Sequence, residues 1–169
     1  MTRPLSSPAF KCLLERGNAL TNSRVVVWRR LLLDAGGLSE DPALASWEDY
    51  ESWLRLAAVT EKFRRSAKIL GWYWAGGGNM TSPQRTIRNL ERIKEIYFSN
   101  AGHQGAEELP GWYHYGLGRA HFHLREYAQA WLPMKRALRG DLYSNVQAKA
   151  LMTLGESMIR DRLYPRLIE

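Results

Sequence analysis

Apolar side chains recur every three to four positions through most of this chain, and Gly and Pro breaks cut that recurrence into helix-sized pieces. A pattern of this period buries one face only by coiling as a helix and docking on a neighbour. Ser7 and Pro8 supply an N-cap and a favoured first helical residue, after which Phe10, Leu13 and Leu14 share a face until Gly17. Asn22 or Ser23 opens the next piece, in which Val25, Val26, Val27, Trp28 and Leu31 to Leu33 are apolar nearly all round. Three consecutive valines suit a strand, but the Arg-Arg-Leu-Leu-Leu continuation and the stop at Ala35-Gly36-Gly37 favour a buried helix. From the Asp41-Pro42 cap to about Tyr73 there is no proline and only Gly71, which predicts one long helix or two abutting ones. Its stripe is Trp47, Tyr50, Trp53 or Leu54, Ala57 and Ala58, continued by Phe63, Ala67 and Leu70. Gly76-Gly77-Gly78-Asn79 breaks it, and Ser82-Pro83 starts a helix with Ile87, Leu90, Ile93 and Tyr97 on one face. The region from Asn145 to Arg162 is a further amphipathic helix, carrying Ala148, Leu151, Leu154 or Gly155, and Met158.

A chain of 169 residues is long enough to hide roughly two thirds of its unfolded surface. One all-helical domain spanning 1–169 is expected, with N-terminal helices over 1–80 and helical hairpins over 82–169. The net charge of +7 and pI near 9.8 suit contact with an acidic surface, but Lys and Arg are dispersed among Asp and Glu, as they are in a merely soluble protein. Cys12 is the single cysteine, so an internal disulfide and a thiolate-rich zinc site are excluded and a reducing compartment is implied. Residues 1 to 10 lack an apolar core of the kind a secretory leader carries, and no run approaches 18 apolar residues; the expectation is a cytoplasmic protein with no membrane insertion. Asn79-Met80-Thr81 matches a glycosylation acceptor, which that location makes accidental.

Catalytic signatures are missing: there is no Walker loop, HExxH, EF-hand loop or nucleophile elbow. Gly116-Leu117-Gly118 lacks the strand and third glycine of a dinucleotide fingerprint. His114 and His121 share a helix face, with His123 nearby, yet no third ligand stands at helical spacing. Gly76 to Asn79 could cradle a phosphate at a helix start or simply form a turn. The chain is therefore read as a non-enzyme with no cofactor and no metal.

Between residues 111 and 141 small residues take fixed places: Leu117, Gly118 and Ala120 in one helix, Tyr127 after the turn, then Ala130 and Ala137, with Leu138 and Asp141 in register. This segment resembles a tetratricopeptide repeat, in which the small residues let two antiparallel helices nest. His114 stands where the family has Trp, and Pro133 falls inside the second helix, where it is expected to bend or shorten it. The helix after 145 then looks like a following first helix or a cap, and the pair from Trp47 to Tyr97 like a degenerate earlier repeat. The resemblance implies a short α-solenoid of antiparallel hairpins with additional N-terminal helices. It also implies a groove lined by Trp112, Tyr115, Arg119, Phe122 and His123, joined by Lys149 and Thr153, that holds a partner's acidic or amphipathic segment. Trp112 and Phe122 could equally pack under the N-terminal helices. The corresponding function is an adaptor, scaffold, assembly factor or chaperone-like module, of undetermined oligomeric state.

The competing expectation is a basic nucleic-acid-binding protein using Arg29, Arg30, Arg64, Arg65 and the stripe Arg85, Arg88 and Arg92. Glu91 and Glu95 sit three residues from arginines of that stripe, and such pairs are worth a few tenths of a kcal/mol on a solvated helix face.

Overall fold

A computed structural model describes residues 5–66, 68, 81–99 and 109–163. Among them are seven α-helices, no strand, and a helical content of 68%, so the fold is all-α. The chain divides into two compact units, Met1–Thr81 and Ser82–Glu169.

In the first unit, helix α1 (Ala9–Arg16) docks on α3 (Glu48–Val59). Ala9, Cys12 and Leu13 are buried on the one, and Tyr50, Trp53, Leu54 and Ala57 on the other. The Tyr50 hydroxyl donates to the Leu13 carbonyl at 2.9 Å. Pro8, rather than Ser7, occupies the N-cap, and its side chain cannot accept a hydrogen bond. The carboxylate of Glu61 does so instead, accepting from the Ala9 N–H at 3.1 and 3.0 Å and from the Ser7 hydroxyl at 3.2 Å. A negative charge at a helix N-terminus satisfies orphan donors and opposes the macrodipole. Gly17 ends α1 at φ 76°, in the left-handed region that favours glycine.

The valine stretch departs from expectation. Asn22–Arg24 is a 3-10 turn, Val25 is extended, and α2 (Arg29–Asp34) is a short helix with no buried residue. Val26 is 101% and Trp28 83% exposed, so this is not a buried helix. Stiff β-branched side chains weaken helix propensity, and the run is covered only in part, with Val25, Val27, Leu31 and Leu32 half-buried. The turn after α2 is held by Arg55, whose guanidinium donates to the carbonyls of Ala35 and Gly37 while pairing with Glu51 at 2.9 Å. The stretch to Tyr73 is likewise not one helix. A 3-10 turn covers Pro42–Leu44, with Asp41 capping Ala43 at 2.8 Å, and α3 stops at Val59. Ala58 and Val59 are already exposed there, and the chain turns so that Glu61 reaches α1. The Gly76 to Asn79 break, Ala67 and Leu70 lie outside the described residues.

The second unit follows the hairpin expectation. Helix α4 (Pro83–Tyr97) begins at Ser82, whose hydroxyl accepts from the Arg85 N–H at 3.2 Å, and it buries Leu90 and Ile93 completely. Helix α5 (Gly111–His123) packs on α4 and on α6 (Tyr127–Arg139), and α7 (Ser144–Leu163) packs mainly on α6. A Cβ on Gly118 would lie 2.9 Å from Met134 Cγ and 3.1 Å from the Ala130 carbonyl oxygen, which measures how tightly α5 and α6 nest. Gly111 and Gly140 touch backbone to backbone at the open end of the hairpin; a Cβ on Gly140 would stand 2.7 Å from Gly111 Cα. At the closed end Arg125 takes φ 64°, and His121 Nδ1 lies 2.6 Å from Glu126 Oε2 across the turn. Pro133 is buried and does not shorten α6, which is continuous from 127 to 139. The pair from Trp47 to Tyr97, α3 and α4, is divided between the two units.

Tyr113 lies in the α4–α5 seam, where burial, helped by the Glu91 carboxylate, pushes its phenol up to about 12. An unfolded phenol ionises near pH 10. The difference leaves stability intact below pH 10 and removes it as pH rises from 10 to 12, by about 2 kcal/mol. Tyr113→Phe is expected to be less sensitive than the wild type across that window, which urea titrations at pH 9 and pH 11.5 would show. Equal alkaline losses in both proteins would contradict this.

Among the described residues no helix is long and apolar enough to cross a membrane.

Candidate functional site

Helix α5 has three distinguishable sides. Gly111, His114 and Gly118 face α6, while Tyr113, Gly116 and Ala120 face α4, where Gly116 sits against Leu90. Because successive residues turn by about 100°, the remaining side carries Trp112, Tyr115, Arg119, Phe122 and His123. The first four are half-buried and His123 is exposed. The resemblance-based set on α5 is thus one continuous surface.

These side chains are coupled. Arg119 donates to the Tyr115 hydroxyl at 3.2 Å, its guanidinium carbon lies 5.8 Å from that ring's centre, and its other terminal nitrogen is 3.0 Å from His123 Nε2. Phe122 meets His123 and Tyr127 edge-on at 5.8 and 5.7 Å between ring centres. Tyr115 is anchored from beneath, against the cluster of Met134, Ala137, Leu142 and Ala150. The outcome is a ladder of ring, guanidinium and imidazole, rigid at its base and open at Arg119 and His123. Such a surface offers apolar area together with donors for a carboxylate or for backbone carbonyls.

Helix α7 carries the other two residues expected of the groove. Lys149 is exposed, and the Thr153 hydroxyl is used within α7, donating to the Lys149 carbonyl at 2.8 Å. Thr153 is half-buried on the side of α7 that carries Arg160. Arg160 reaches the α5 set. Its guanidinium carbon lies 5.8 Å from the Phe122 ring centre and 5.7 Å from that of Tyr127, it donates to the Tyr127 hydroxyl at 3.2 Å, and Glu156 pairs with it at 2.5 Å. Arg160 lies seven residues after Thr153 on the same strip of α7, and that spacing was the signal that could have found it.

His114 is buried against Tyr113, ring centres 5.7 Å apart, on a different side of α5 from His123. Among the described residues no group of three His, Cys, Asp or Glu is placed to hold a metal. The arginines of the nucleic-acid alternative divide between the units: Arg29, Arg30, Arg64 and Arg65 belong to the first, and Arg85, Arg88 and Arg92 to the second. Arg30 is within 3.8 Å of Asp34, and Arg92 within 3.0 Å of Glu95. Compared with known proteins, the chain matches no family, no curated protein and no solved structure.

Proposed function

We propose that the 82–169 unit is a non-catalytic protein-interaction module of tetratricopeptide-like design, which takes an acidic or amphipathic segment of a partner on the third side of α5. The supporting observation is the Tyr115–Arg119–His123 ladder, positioned on a helix whose other two sides pack against α4 and α6. Aromatic area gives affinity to such a contact, and a guanidinium held by two neighbours loses little freedom when it meets a carboxylate. An adaptor or assembly role follows from capture of this kind, with no reaction required of the surface.

The test is affinity capture from native cell extract, with and without nuclease, comparing the wild type with Arg119→Glu combined with His123→Ala. Tyr115 is left in place because it supports the core beneath it. The variant should retain its helical signal and lose a nuclease-resistant partner at least about 10-fold, as removal of an anchor residue does. Equal recovery of every partner would reject this face, and partners lost only to nuclease would favour the nucleic-acid reading.

A further inference from the structure

Helix α7 is apolar on two opposite sides. One side buries Ala150 and Ser157, with Val146 and Leu154 half-buried, against the α5–α6 hairpin. The other presents Leu151, Met152, Met158, Ile159 and Leu163, between 44% and 74% exposed. At about 100° per residue these five fall within one half of the helix surface, on both flanks of Gly155. We infer that this outer side of α7 pairs with the same side of a second copy, antiparallel, with the crossing point at Gly155.

Three observations favour a second copy as the occupant. Gly155 sits in the middle of a 20-residue helix, where glycine is costly. Unlike Gly118, it has nothing within 4 Å of its Cβ position to account for the missing side chain. A backbone crossing there would account for it, and a crossing placed on a two-fold axis meets its own image. Second, the stripe is symmetric about that point. Antiparallel pairing sets Leu151 against Met158 and Met152 against Ile159 of the second copy, large against large on each side of the two glycines. Third, the charges suit the antiparallel sense. The two Arg162 residues lie at opposite ends of an antiparallel pair, whereas parallel pairing would stack them. The exposed apolar side chains amount to on the order of 500 Å² per copy, the upper end of what a monomer ordinarily leaves bare. The pair therefore covers about 1,000 Å², the lower limit for a specific interface, so the dimer is weak and concentration-dependent. The ladder on α5 takes no part, and the inference does not rest on the proposed function.

Sedimentation equilibrium of the full chain should show the mass rising from 19.5 kDa toward twice that value as the concentration is raised. Met152→Glu with Ile159→Glu, both at exposed positions, should remain monomeric at every concentration with an unchanged circular dichroism spectrum. Gly155→Leu should strengthen the isolated helix, raising Tm, yet weaken dimerisation at least about 10-fold. For the sense of pairing, a Cys12→Ser background carrying Met152→Cys should crosslink to one carrying Ile159→Cys, and neither to itself. A wild type that stays at 19.5 kDa up to 200 µM, a charged double variant that still dimerises, an unimpaired Gly155→Leu dimer, or same-residue crosslinks would each overturn the assignment.

Discussion

Gly118→Leu is expected to destabilise the 82–169 unit by about 3 kcal/mol or more, because the nest between α5 and α6 has no room for a branched side chain. Even the first added carbon would sit 2.9 Å from Met134 Cγ and 3.0 Å from Met134 Cε, which are movable, but also 3.1 Å from the Ala130 carbonyl oxygen, which is held in the backbone of α6. Gly118→Ala should therefore cost less, about 1 kcal/mol: methionine yields, while the carbonyl must be pushed by a few tenths of an ångström. Urea titration gives the magnitude, and hydrogen exchange across residues 111–139 locates it. A Gly118→Leu protein with wild-type protection in both helices would show that the two do not nest at this point.

The second large effect is expected at Gly140. Gly140→Val places carbon where the α5 backbone already is, 2.7 Å from Gly111 Cα and 2.9 Å from Gly111 N, so the ends of the hairpin must part, at about 3 kcal/mol. The reciprocal change, Gly111→Ala, meets the Ala137 oxygen at 3.1 Å and Gly140 Cα at 3.2 Å and should be milder, about 1 kcal/mol. The ordering is the measurement that matters. If Gly111→Ala proved the more damaging in thermal unfolding, the backbone contact at the open end would be misplaced.

What could be read from residues alone depended on how local the cause was. Ser82-Pro83 announces the start of α4 because cap and first turn are adjacent in sequence, and Gly118, Ala120, Ala130 and Ala137 announce the hairpin because a size limit leaves small residues in place. The Gly111–Gly140 contact was not legible, since neither glycine breaks a pattern by itself and only the folded hairpin brings them together. The valine run misled because composition describes what a segment could bury, not whether a surface exists to bury it; Val26 and Trp28 found none. The end of α3 was misjudged because Glu61 acts on a residue far away in sequence. On the α5 face, Trp112, Tyr115, Arg119, Phe122 and His123 followed from helical spacing. On α7 the same spacing pointed to Lys149 and Thr153 but not to Arg160, one helical strip further on, which reaches Phe122.

The carboxylate that seals the start of α1 lies 52 positions downstream of the amide it accepts from. An eight-residue helix is too short to persist by itself in water, so during synthesis the first segment leaves the ribosome without the group that completes it and stays unfinished until residue 61 has followed. Around α5 the docked neighbours α6 and α7 arrive within a few tens of residues, and each new helix finds its surface already made. The start of α1 is thus completed by a contact of long sequence separation, whereas α5, α6 and α7 dock chiefly on the helix before them, and contacts of the first kind are the slower to form.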